Sequence, residues 1–87
     1  MTISAAAVSI RVLLFARYAE VLGRDALTVE LAAPATVGDL LARLRSLPGG
    51  EQLPPRPLCA VNLIQASDQT PITPADEVAV LPPLAGG

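Results

Sequence analysis

Few groups in this 87-residue chain could do chemistry, and the strongest of them stands at its end. Gly86-Gly87 closes the sequence. With glycine at about 7% of residues, two in succession fall at about 0.5% of chain ends by chance. The setting sharpens that signal, because the pair follows Pro82-Pro83 and the small apolar pair Leu84-Ala85. Proline fixes φ and favours extended backbone, whereas glycine lacks a Cβ and lets another backbone or a nucleotide come close. A stiff base and a slim tip suit insertion into a tunnel. Residues 82–87, extended at about 3.3 Å each, reach about 20 Å. That is enough to carry the carboxylate of Gly87 into another protein's active site, so this carboxylate is the candidate reacting group.

The rest of the chain offers little competition. There is no histidine and no lysine, so no conventional base stands ready to activate Ser4, Ser9, Ser46 or Ser67 for acyl transfer. One cysteine and scattered carboxylates do not make a zinc or iron ligand set, and no metal site is expected. Cys59 lies between Leu58 and Ala60 in a strand-like run and reads as a small buried apolar residue. Asp76-Glu77 reads as turn chemistry ahead of a strand in preference to an acid/base couple. Gly49-Gly50 is followed by a proline-rich loop, not by a helix bearing Lys and Ser/Thr, which excludes a phosphate-cradling loop.

Composition narrows the partners. The formal net charge is −2 and all six basic residues are arginines spread along the chain, so no nucleic acid is expected. Phe15 and Tyr18 are too few rings for base stacking. The chain is 52% hydrophobic and 16% charged, a balance that reserves apolar surface for a protein partner. The single cysteine excludes an internal disulfide and fits a reducing compartment. Residues 1–7 are Ala-rich without a basic start, and Arg11 interrupts the apolar run well short of a membrane span. The expectation is a cytoplasmic protein without membrane contact, carrying a flexible extension over 1–7, one domain over 8–81 and an extended tail over 82–87.

The elements that must hold the tail follow from periodicity. Val8, Ile10, Val12 and Leu14 recur at period two and predict a half-buried strand over 8–15, with Leu13 and Phe15 on its other face. Leu27-Thr28-Val29-Glu30-Leu31 alternates again, and Gly23-Arg24-Asp25 supplies a turn, so a hairpin with a connection of about ten residues is expected. Thr36 precedes Val37, Leu40, Leu41, Leu44 and Leu47, a helical stripe with Thr36 as N-cap and Asp39 as its capping-box partner. Pro48-Gly49-Gly50 ends it. Leu58-Cys59-Ala60-Val61-Asn62 predicts a short buried strand, residues 63–66 a brief edge strand, and Val78-Ala79-Val80-Leu81 the last strand. Residues 67–75 are polar, with Pro71 and Pro74 as breakers. The order predicts an α+β fold of β-grasp type: a mixed sheet of four to five strands on one main helix.

Over nearly its whole length the chain resembles the small subunits of molybdopterin synthase, in the ubiquitin-like sulfur-carrier family that also includes the thiamine-pathway carrier. The markers are Val12-Leu13-Leu14-Phe15-Ala16 with Glu20 and Gly23, Thr36-Val37-Gly38-Asp39-Leu40, Ala60-Val61-Asn62, and the run from Asp76-Glu77 through Leu81-Pro82-Pro83-Leu84-Ala85-Gly86-Gly87. The last of these is the specific one. Ala19 departs from the pattern, standing where relatives commonly carry a basic residue, and the loop around Pro54, Pro55 and Pro57 is idiosyncratic.

The resemblance implies a non-autonomous subunit of a sulfurtransferase. An adenylating partner of the ubiquitin-activating type would use ATP to turn the Gly87 carboxylate into an acyl-adenylate, because a free carboxylate is a poor electrophile. Sulfur would replace AMP and leave a transient 1-thioglycine at Gly87. The large synthase subunit, in a heterotetramer, would take up Pro82, Pro83, Leu84, Ala85 and Gly86. It would supply most groups for sulfur transfer to cyclic pyranopterin monophosphate. No cofactor is permanently held. Phe15, Leu81 and Leu84 are the expected docking anchor, with burial of Phe15 in the core as the competing reading. Two further readings share the fold: a carrier serving thiamine or another acceptor, and a non-catalytic ubiquitin-like interaction module.

Overall fold

The computed structural model describes residues 7–54 and 56–82. In chain order the elements are β1 (Ala7–Leu14), α1 (Arg17–Leu22), β2 (Ala26–Ala32), β3 (Ala35–Thr36), α2 (Val37–Arg45), a 3₁₀ turn (Gly50–Gln52), β4 (Leu58–Val61), β5 (Ile64–Gln65), β6 (Pro71–Ile72) and β7 (Glu77–Leu81). Five strands form one mixed sheet in the order β2-β1-β7-β4-β5, and β3 pairs with β6 in a separate ribbon. β1 and β7 run parallel, from Arg11↔Glu77 to Leu14↔Val80, while β1–β2, β4–β7 and β4–β5 are antiparallel. A parallel neighbour requires a crossover, and α2 lies within the one joining β1 and β7. This is the α+β, ubiquitin-like β-grasp arrangement.

Alternation sorts the sheet's two faces. Ile10, Val12 and Leu14 of β1, Val29 of β2, Cys59 of β4 and Val78 and Val80 of β7 turn inward, where Val37, Leu40, Leu41 and Leu44 of α2 meet them. No polar or charged residue is buried among the described residues. Fully burying a side chain of this size contributes about 1.5–3 kcal/mol, so this single layer of contact between helix and sheet is the main source of stability. The helix starts where Asp39 N–H donates to Thr36 Oγ1 at 3.3 Å and Thr36 N–H donates to Asp39 Oδ2 at 3.0 Å, the expected capping box. It stops at Arg45, two residues short of Leu47, which is half-buried beyond the helix end.

Several features differ from the sequence reading. The connection from β1 to β2 is not a plain hairpin loop: residues Arg17–Leu22 form α1, and Tyr18 is only 4% exposed. Gly23, at φ 77°, closes this helix in the left-handed region, its N–H donating to the Ala19 carbonyl at 2.8 Å. The stretch 67–75 is not simply a polar loop either, because Pro71–Ile72 pairs with Ala35–Thr36 and Ile72 is buried. β1 itself starts at Ala7, paired with Ala32, a residue ahead of the expected start. Its expected last residue, Phe15, lies just past its end.

Candidate functional site

The tail is mounted on the middle of the sheet. β7 lies between β1 and β4, with Val80 buried between Leu14 and Cys59. Leu81 pairs with Leu58, faces the side of the sheet opposite α2 and is half-buried; Pro82 follows outside the strand. Both flanking ladders therefore fix where the chain leaves the sheet. Of the sequence-predicted site, Phe15, Leu81 and Pro82 are described, whereas Pro83, Leu84, Ala85, Gly86 and Gly87 lie outside the described residues, as do residues 1–6.

Phe15 and Leu81 each stand one residue beyond the last parallel pairing, Leu14↔Val80, so the two come to the same end of the sheet. Phe15 is 44% exposed, so it is not a core residue. The open face beside them has a pattern that sequence reasoning did not assign. Cross-strand partners share a face, which puts Leu13, Ala79 and Ala60 in one row and Leu81 with Leu58 in the next. All five are half-buried. Farther from the tail the same face turns charged, at Arg11 opposite Glu77. The alternation of β1 and β7 carried this signal; the sequence placed Leu13 and Phe15 on the outward face of β1 but did not join them to Ala79, Ala60 and Leu58.

Among the described residues, neither Cys59 nor Asp76 offers a reacting group. Cys59 points into the core, and burial, aided by the negative charge of Asp68, pushes its thiol up to about 11. It is a thiol, not a thiolate, at neutral pH. Asp76 is held below the ordinary carboxylate range, first by the Asn62 side-chain amide and then by the Thr73 backbone N–H. Its oxygens are thus occupied in fixing the turn before β7. Among the described residues no group of three or more His, Cys, Asp or Glu side chains is placed to hold a metal ion. No helix among them is long and apolar enough to cross a membrane. The arrangement can present and orient a terminus beside an apolar surface.

Fold and mount define a ubiquitin-like β-grasp protein with its last strand at the sheet centre. The ThiS family profile matches residues 12–87, and the chain belongs to the ThiS family. It is 36% identical over 81 residues to the molybdopterin synthase sulfur carrier subunit of Chlamydomonas reinhardtii, covering 90% of this chain and 98% of that protein. Among solved structures it resembles SAMP1 from Haloferax volcanii, a small archaeal modifier protein, at 30% identity and TM-score 0.76, over 91% of this chain and 99% of that one. It also resembles a molybdopterin converting factor subunit 1 candidate from Pyrococcus furiosus, at 25% identity and TM-score 0.75, over 88% of this chain and 99% of that one.

Proposed function

We propose that this chain is the sulfur-carrier subunit of a molybdopterin synthase, with the Gly87 carboxylate as its working group. The observation that carries the reading is the match over 90% of the chain to a relative of that name, supported by a family profile that runs through Gly87. The mount of β7 beside a half-buried apolar face agrees with a terminus delivered into a partner. An adenylating protein forms an acyl–phosphate bond between Gly87 and AMP, releasing pyrophosphate. A sulfide-level donor then forms the C–S bond as the C–O bond to AMP breaks. The resulting thiocarboxylate is ionised and nucleophilic at neutral pH. Once it is docked on the large subunit, its sulfur bonds to a carbon of cyclic pyranopterin monophosphate as an oxygen leaving group departs. Water then cleaves the acyl C–S bond, leaving sulfur on the pterin and the carboxylate on Gly87; two such transfers complete the dithiolene.

Reconstitution tests this. Thiocarboxylated chain mixed with the large subunit should convert the pterin precursor to molybdopterin, and the carboxylate form should not. Equal conversion by both forms would refute the proposal.

The likeness to SAMP1 at 30% identity favours one second reading, in which activated Gly87 acylates an amine of another protein and AMP leaves. The chain has no lysine and so could not be its own side-chain acceptor. Adducts of higher mass that survive denaturation and reduction would support that reading. A carrier for thiamine or another acceptor shares the same tail chemistry and is separated by the partner that co-purifies.

A further inference from the structure

The sheet has two edges of unlike character. β5 is two residues long, a short edge of the kind that discourages pairing. β2 is seven residues long, Ala-Leu-Thr-Val-Glu-Leu-Ala, and pairs with β1 without a break in register from Ala32 to Ala26. It contains no proline, no lysine and no bulge, and Glu30 is its one charged residue, so few of the devices that normally protect an edge are present.

The direction of its main-chain groups follows from the ladder. Leu14 N–H donates to the Asp25 carbonyl at 2.7 Å, one step beyond Leu13↔Ala26. Bonded and non-bonded pairs alternate in an antiparallel ladder. Leu27, Val29 and Leu31 therefore spend their N–H and C=O groups on β1, while those of Ala26, Thr28, Glu30 and Ala32 aim at the open edge.

A groove runs beside that edge, between β2 and the C-terminal part of α2. One end is a cavity of about 650 Å³ walled by Leu22, Leu27, Leu47 and Pro48, with Arg24 and Arg43 as its cations and Glu30 as its one acid. A second cavity of about 570 Å³ shares Arg43, adds Asp39 as an acid and continues to Ala33 and Pro34. Free donors and acceptors at strand spacing call for an extended backbone, and apolar walls call for alternate apolar side chains. Charges balance along the whole groove, but the first cavity holds two guanidiniums against one carboxylate, which calls for an acid at the Arg24 end, away from Asp39.

We propose that the β2 edge and its groove bind an extended, acidic-ended apolar peptide segment of another protein as a sixth strand. This surface lies at the opposite edge of the sheet from β4 and β5, so a partner held there can coexist with one that receives the tail. It is independent of the sulfur-carrier reading.

The test uses a synthetic peptide that matches the length of β2, alternating valine and threonine, followed by a pair of aspartates and titrated into the isotope-labelled full chain. Saturable binding should shift the amides of Thr28 and Glu30 most. N-methylation of the alternate peptide amides that face β2 should weaken binding about tenfold, the loss expected for about two hydrogen bonds. Arg43→Glu, or lysines in place of the aspartates, should weaken it too. Shifts centred on Phe15, Leu81 or β5 would overturn the proposal. So would undiminished binding of the methylated peptide, pairing of two copies of this chain through β2 in place of peptide binding, or no saturation.

Discussion

Asn62 and Asp76 lock the two strands beneath the tail to one another: Asn62 Nδ2 donates to Asp76 Oδ1 at 2.8 Å, and Asn62 Oδ1 accepts from the Glu77 N–H at 2.9 Å. Asn62 sits at φ 52°, in the left-handed region that asparagine tolerates better than most residues. Asp76 Oδ2 meanwhile accepts from the Thr73 N–H at 2.7 Å. The β4–β5 turn is thereby tied to the start of β7, and β7 carries the tail.

These bonds hold the Asp76 carboxyl below its ordinary value of 3.8. A carboxyl depressed in the folded state binds its proton more weakly there than in the unfolded chain. Its contribution is therefore complete above the ordinary value and is lost as pH falls through the folded value. Asp76→Asn should be less stable than the parent at neutral pH, with the gap narrowing in acid below 3.8. Urea midpoints of the two proteins across that range check this, and a constant gap would contradict it.

Gly50 marks where α1, α2 and the 3₁₀ turn close on one another. A Cβ there would meet the Leu44 carbonyl oxygen at the end of α2, and the neighbouring Gly49, at φ 88°, would meet the Val21 carbonyl oxygen of α1. Both obstacles are backbone. Gly50→Ala should cost several kcal/mol, at the upper end for single substitutions. Gly23→Ala, where a Cβ meets nothing, should cost about 1 kcal/mol through its left-handed φ alone. Thermal midpoints of equal size for the two variants would show that crowding at Gly50 is relieved by movement.

What the sequence revealed depended on how many residues carried each signal. α2 was legible because four buried positions and a capping box, Thr36 with Asp39, agree on one helix. β1, β2 and β7 were legible because each alternates over several residues. α1 was not: it has six residues and one buried side chain, Tyr18, and its N-cap is Ala16, which makes no side-chain hydrogen bond. A helix that short is held by packing, here against the 3₁₀ turn, and packing between distant segments leaves no local periodicity. β3 and β6 were hidden for the same reason, two residues each, with prolines nearby. At the candidate site, Phe15 and Leu81 could be named from their place beyond the core face. The rows of the open face needed the parallel register of β1 and β7, which joins residues more than sixty positions apart.

Phe15 is the cleanest probe of that face. Its exposure predicts that Phe15→Asp leaves the unfolding free energy from urea titration within about 0.5 kcal/mol of the parent while abolishing association with the large subunit. Leu81→Asp should do the same to association at a greater cost in stability, because Leu81 is half-buried against Leu58. Binding measured by titration calorimetry should show the loss. Unchanged affinity in both variants would remove this face from the interface.

Cys59 should be silent. Its thiol, raised to about 11 and buried, should resist alkylation at neutral pH for as long as the protein stays folded and react fully in denaturant. Labelling in native buffer on the timescale of the unfolded control would contradict the burial. The same inertness removes Cys59 as a place to carry sulfur.

Sulfur should be carried on the main-chain terminus. This is tested by the mass of the C-terminal peptide after incubation of the full chain with ATP, the adenylating protein and a sulfur donor. The expected result is one exchange of oxygen for sulfur, confined to the fragment ending in Gly87, dependent on ATP and absent when Gly87 is deleted from an otherwise folded chain. Sulfur found on Cys59, or an unshifted Gly87 fragment under conditions where a known carrier is loaded, would contradict it.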